Sequence, residues 1–396
     1  MKQTIKLILV VLIICIGFFL GNLILNKTYQ TKFESLDTTD QRMLQELSRV
    51  YKHFETSSNN LWDESYHFET KPLILIRSNK EGGVIRKEAY ALNVKSIEDS
   101  IFAKEIRTPK SLQLPKVYRL SRFDIKTIYA WMPINFGTVS INNNDVFYFK
   151  YYSKMLNNPD LYFDFPSFLL HEAFHTYKQK DWVYDMEKKG GGITHMRNYP
   201  KTAENYAVMG LEFKLLDQAM LEKKPETIKQ YLYNWSILRK YRYEKWPQLK
   251  EETNTEAIEG TARYLEYQYN KLNSGKLTVL AKKYAPYHVT FLEAFNFIAN
   301  GEAESPTFFE RTMQYETGAA LGLIMDKANI PWKTEIEDTL IKRGKTQYET
   351  LNTYFKINDI VNIENKVKQI EDNNNYKSIL EQAKKLAKID VMEDKK

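Results

Sequence analysis

The chain of 396 residues has 43% hydrophobic and 27% charged positions with only 15 Gly and 12 Pro, a balance that supports a sizeable core and excludes a disordered or low-complexity protein. Its formal charge of +7 is scattered and not gathered into a basic arm, which argues against nucleic acid as a partner. The single cysteine, Cys15, lies in an apolar run, which rules out disulfides, a cysteine nucleophile and a Cys-type zinc site in the body.

Leu7 to Leu25 is apolar apart from Gly17, Gly21 and Asn22, and at ~1.5 Å per helical residue it covers most of a ~30 Å hydrocarbon core. No small-x-small cleavage signature closes it, and Leu12, Ile13 and Ile14 stand where a lipoprotein signal places small residues before its Cys. Residues 1–25 therefore read as an uncleaved signal anchor, with a cleaved secretion signal as the alternative. Lys2 and Lys6 ahead of the span favour a single-pass cell-membrane protein with its body extracytoplasmic, although Lys27 and Lys32 weaken the asymmetry.

Residues 26–36 read as a short stalk, and 37–335 as one enzyme-sized domain. Leu44, Leu47, Val50, Tyr51 and Phe54 recur at helical spacing, so 40–54 forms an amphipathic helix. Pro72 to Ile76 and Val84 to Leu92 flank a Gly-bearing turn at 79–83 and read as a hairpin. Phe136 to Ile141 is a further strand, either an edge that pairs with an extended peptide or a plain core strand, and the aromatic stretch Val146 to Tyr152 follows it. Asp164 and Pro166 supply the capping acceptor and preset φ of a helix N-terminus that runs into His171. Beyond a loop marked by Gly190, Gly191 and Gly192, helices are expected over 202–220, 227–246 and 255–272. From Ile330 the pattern is again helical, with 336–396 as a C-terminal helical segment. The fold class is α+β and mainly α, with a small N-terminal sheet and a helical C-terminal lobe after one transmembrane helix.

His171-Glu172-Ala173-Phe174-His175 places two imidazoles one helical turn apart, where both can reach one ion at ~2.0 to 2.1 Å. Glu172 lies too far round the helix to be an easy ligand, but it can take a proton from a water that the metal activates. A catalytic zinc needs a third protein ligand and an open position. Lys178 and Asp181 occupy the positions where a metzincin requires Gly and His, so the third ligand lies elsewhere. Glu259, in the run Glu256 to Tyr264, is the leading candidate, because Gly260 and Ala262 would let its helix approach the histidine helix closely. Glu256 shares its face at i−3 and would orient a ligand. Tyr315, or His195 after the triple Gly, would donate to a developing oxyanion. His53, His67 and His288 have no ligand-like neighbours and read as structural.

HExxH followed downstream by Glu259-Gly260-Thr261-Ala262-Arg263-Tyr264 resembles the gluzincin-type, MA-like zinc metallopeptidases. The resemblance spans roughly 72–332, includes Leu238 to Arg242 and Tyr315 to Ala320, and is specific at HExxH and EGTARY. It implies a zincin-like domain, one Zn2+ per chain and Glu259 as third ligand. The 84-residue gap between His175 and Glu259 exceeds the thermolysin-like spacing, so Glu256, Glu204, Glu212 and His195 stand as alternative ligands. The expected function is a membrane-anchored zinc metallopeptidase acting on a peptide or protein substrate, with the lipid bilayer as partner of the N-terminal helix. The alternative is a non-catalytic anchored binding or scaffold protein on the same fold.

Overall fold

The computed structural model describes residues 2–79, 84–98, 100–121, 132–157, 164–184, 198–273, 290–302 and 305–393. Their fold is mainly helical with one small mixed sheet, and the chain forms two compact units, 1–177 and 178–396.

The first unit contains α1 (Lys2–Thr28), α2 (Thr38–Leu61), β1 (Leu73–Asn79), β2 (Val84–Leu92), α3 (Lys95–Glu98), β3 (Ala103–Ile106), β4 (Val117–Leu120), β5 (Phe136–Ile141), β6 (Asn144–Tyr151), α4 (Ser153–Asn157) and α5 (Phe165–Tyr177). The strands lie in the order β3-β4-β2-β1-β6-β5, with β1 antiparallel to β2 and parallel to β6. Leu73 to Ile76 are all fully buried, as a central strand covered on both faces requires. One face gathers Ile74, Ile76, Ala89, Ala91 and Val146 into a cluster with Ile97. The fringe of α2 meets the sheet through Asp40, which accepts hydrogen bonds from Tyr90 Oη at 2.7 Å and Tyr151 Oη at 2.6 Å and pairs with Arg77 Nε at 3.0 Å.

The expected hairpin strands are β1 and β2, while residues 80–83 of their turn lie outside the described residues. The strand expected at 136–141 is β5, which stands at one edge of the sheet among the described residues. The short charged strands β3 and β4 had no hydrophobic alternation to announce them. Helix α2 outlasts its apolar stripe, running through a non-helical Ser57 (φ −150°) to the buried Leu61.

Helix α1 is long and apolar enough to cross a membrane, and Ile5 to Leu20 present exposed apolar side chains. Within the stretch read as a stalk, Asn26 donates to Ile101 O at 2.7 Å, Thr31 O accepts from Arg107 N at 2.7 Å, and Phe33 and Leu36 are buried.

The second unit is helical among its described residues: α6 (Ala203–Leu221), α7 (Pro225–Lys245), α8 (Glu251–Leu272), α9 (Phe291–Ala299), α10 (Thr312–Lys327), α11 (Gln347–Phe355), α12 (Ile363–Asn373) and α13 (Tyr376–Glu393). The three expected helices are α6, α7 and α8. The helical pattern read from Ile330 onward is corrected: residues 330–346 are irregular and α11 starts at Gln347, behind a capping box of Thr346 and Glu349. Ile330, Trp332 and Ile336 are buried from that loop, and Asp338 ties it down by accepting from Val183 N at 2.6 Å, Tyr184 N at 2.9 Å and Gly344 N at 2.9 Å.

Helices α8 and α10 touch backbone to backbone. A Cβ on Gly260 would stand 2.5 Å from Gly318 Cα, and one on Gly318 would collide with Glu256 O. Gly260 thus makes room for α10, which corrects the expectation that this small residue serves the approach of the histidine helix. Because the obstructing atoms are backbone, Gly260→Ala is expected to destabilise the protein by about 2 kcal/mol or more, in the upper range for overpacking. Urea unfolding followed by circular dichroism checks this, and a midpoint equal to that of the wild type would refute the tight crossing.

Candidate metal centre

Helix α5 is positioned at both ends. The Asp164 carboxylate accepts from Ser167 N at 3.4 Å and its carbonyl from Phe168 N at 3.1 Å, so the cap read from the sequence is present. At the other end Tyr177 Oη accepts from Phe147 N at 3.0 Å and donates to Pro72 O, tying the last turn to β6 and the start of β1. Between them Phe165 and Phe168 meet Phe149 edge-on, and Phe174 packs on Trp62 and Tyr66. This aromatic anchoring fixes the helix rotation, leaving His171 and His175 with ring centroids 4.8 Å apart. His171 is buried and His175 half-buried, as is Glu172, which sits between them in the sequence.

The orientation of α8 is set by charges and small residues. Glu256 accepts from Arg239 Nη1 at 3.0 Å and from Thr317 Oγ1 at 2.7 Å, and Arg263 pairs with Glu316 and Glu266. Tyr267 donates to Glu316 at 2.5 Å. With Gly260 against α10, the half-buried Glu259 faces Arg311, whose Nη2 lies 3.3 Å from its Oε1 and 3.3 Å from Tyr315 Oη. Burial first, then the Glu259 carboxylate, pushes the Tyr315 phenol up to about 12, so at neutral pH it remains an O–H donor.

His171, His175 and Glu259 each offer a ligand atom, and these atoms all lie within 4.8 Å of one another. Two imidazoles and one carboxylate form a donor set that could hold a divalent cation with a coordination position to spare.

The other candidates have different work. Glu256 is buried in its pairing with Arg239, and Glu212 accepts from both Arg239 and Arg242 at 2.8 and 3.0 Å. Glu204 pairs with Lys245 and accepts from Tyr241 Oη at 3.1 Å. None of the three is in the donor group, so their roles as alternative ligands are corrected. Glu259 pairs with Arg311 at the N-cap of α10. His195, the triple Gly and His288 lie outside the described residues. His67 pairs with Glu69 at 2.8 Å.

Two contributors carried no pattern in the sequence. Arg311 sits at the N-cap of α10 and reaches the site only through the tertiary fold. Gln179, two residues beyond α5 and 5% exposed, donates to Ile258 O at 2.8 Å and Thr261 Oγ1 at 2.6 Å, bracketing Glu259 on α8.

Comparison with protein-family models, curated proteins and solved structures finds no match to this chain.

Gln179→Ala removes both hydrogen bonds beside Glu259, and any binding of Zn2+ by the donor group is expected to weaken about 10-fold, the lower range for residues that support metal ligands. Gln179→Glu, which keeps the size but loses the donor when ionised, is expected to behave alike. Competition with a chromogenic chelator measures both, and wild-type affinity in the two variants would remove Gln179 from the site.

Proposed function

We propose that this chain is a zinc-dependent metallopeptidase of gluzincin type, anchored in the cell membrane by α1 with its catalytic body extracytoplasmic. The observation that carries the reading is the convergence of His171, His175 and Glu259 donors within 4.8 Å of one another, because it joins the HExxH helix to the carboxylate of the EGTARY run. The donor set suits Zn2+, one per chain, and a bound zinc would activate a water and polarise the scissile carbonyl.

The chain's own residues divide the remaining work. Glu172 accepts the proton of the attacking water and delivers it to the amine nitrogen as the peptide C–N bond breaks. Tyr315, kept protonated by its surroundings, donates its O–H toward the oxygen that gains negative charge. Arg311, at 3.3 Å from both Glu259 and Tyr315, holds the carboxylate and the phenol on a common partner and adds positive potential where the oxyanion grows.

Purified full-length protein is expected to carry about one zinc per chain by elemental analysis, and Glu259→Ala to lose most of it. Zinc retained at wild-type level in Glu259→Ala would exclude this carboxylate as a ligand. Glu172→Gln is expected to keep its zinc while turnover of quenched fluorescent peptides falls about 10²- to 10⁴-fold, the range for a lost general base. A phenotype indifferent to Glu172→Gln, with no peptide turnover in the wild type, would favour the non-catalytic scaffold.

A further inference from the structure

The end of α1 is built into the sheet of the first unit. Asn22 and Asn26 are 5% and 8% exposed, in a helix whose preceding apolar side chains are open. Ser121 Oγ donates to Asn22 Oδ1, and Asn26 Nδ2 donates to Ile101 O at 2.7 Å and Ala103 O at 3.2 Å. One and two turns deeper, the ring of Phe19 meets that of Phe102 edge-on at 5.6 Å. Past the helix, Lys104 Nζ donates to the carbonyls of Lys27 and Tyr29, each at 3.1 Å, and the Arg119 guanidinium lies 4.0 Å from the centroid of the Tyr29 ring. These contacts run for about 10 Å along the helix, from Phe19 to Asn26.

Dimensions turn this joint into a statement about lipid. Gln3 to Leu20 measures about 27 Å at ~1.5 Å per residue, and a bilayer's hydrocarbon core is ~30 Å thick. A spanning α1 therefore needs its residues up to Leu20 inside the core, which puts Phe19 at the boundary. Phe102, held beside Phe19, stands at the same depth. Ile101, 55% exposed, is then an apolar side chain pointing outward at the level where acyl chains meet headgroups. Exposed Lys27, Lys32 and Arg107 lie just beyond it, together with the exposed Glu34, Glu98 and Glu105.

We propose that residues 101–103 form a lipid-contacting corner of the first unit, clamped at the bilayer surface by Asn26 and, through the buried Ser121, by Asn22, with Ile101 entering the interface. This rests on α1 spanning a membrane and is independent of the zinc chemistry. The same joint makes Phe19 to Thr28 part of the folded unit, so cleavage near Leu25 would cut through a structural element.

The test uses the full chain with Cys15→Ser and Ile101→Cys, labelled with an environment-sensitive nitrobenzoxadiazole dye and reconstituted in phosphatidylcholine–phosphatidylglycerol vesicles. The control label goes on Ser140→Cys, exposed on β5 at the opposite edge of the sheet. Dibrominated lipid is expected to quench the dye at 101 several-fold more than at 140, with blue-shifted emission at 101. Adding Asn22→Ala and Asn26→Ala is expected to return the dye at 101 to water while the protein still floats with the vesicles. Equal, water-like signals at 101 and 140 in vesicle-bound protein would overturn the clamp and leave the anchor standing. Failure of the chain to float with vesicles would overturn both.

Discussion

The second unit is organised around the approach of two helix backbones at Gly260 and Gly318. Neither residue can carry even a methyl group without displacing main-chain atoms of the other helix, and the contact sets the rotation of α8 about its axis. Once that rotation is set, the neighbours of Gly260 along the helix fall into place. Glu256, a turn earlier, meets Thr317, and Arg263 and Tyr267, later in the helix, meet Glu316. Glu259 is left on the side where Arg311 and Tyr315 arrive. The runs EGTARY and YETG are therefore two halves of one interface, and Glu259 owes its direction to the glycine beside it.

Behind that interface lies a group of charges with no access to solvent. Arg239 and Arg242 are shared among Glu212, Glu252 and Glu256, all buried. Burial by itself would lower the pKa of Arg239, yet the facing carboxylates of Glu212 and Glu256 hold it well above its ordinary value. Burial raises Glu252 in the opposite sense, against the pull of the two arginines. Such a network adds little net stability over apolar packing, but losing one member strands the others, at about 3 to 5 kcal/mol. Its use here is directional, since Glu212 on α6, the arginines on α7 and Glu252 and Glu256 on α8 satisfy one another in a single arrangement.

Much of this was legible in the sequence wherever a period or a cap carried it. The amphipathic stripe of α2, the Asp164 cap of α5 and the apolar strand β1 all express a local preference that the tertiary structure keeps. Periodicity misled at 330–346, where Pro331 and the Asp338 turn hold the chain irregular although Ile330, Trp332 and Ile336 are buried. The spacing of Gly260 and Ala262 correctly announced a close helix contact, but a single helix cannot say which partner fills it. Gln179 and Arg311 were invisible for a different reason. A polar side chain between elements repeats nothing, so its meaning appears only once the fold delivers an acceptor to it.

Arg311 also bears on how the donor group is kept when it holds no cation. A half-buried carboxylate beside two imidazoles and a phenol would be costly if left unpaired, because desolvation penalises its charge. The guanidinium at 3.3 Å supplies the compensating charge and keeps Glu259 pointed at the site. A divalent cation bound there would compete with one Arg311 contact, at a cost in affinity, but would meet a carboxylate already oriented. Arg311 has a second acceptor in Tyr315 Oη and so would keep a partner if the carboxylate turned away. The guanidinium therefore balances the Glu259 carboxylate while also standing beside the Tyr315 phenol.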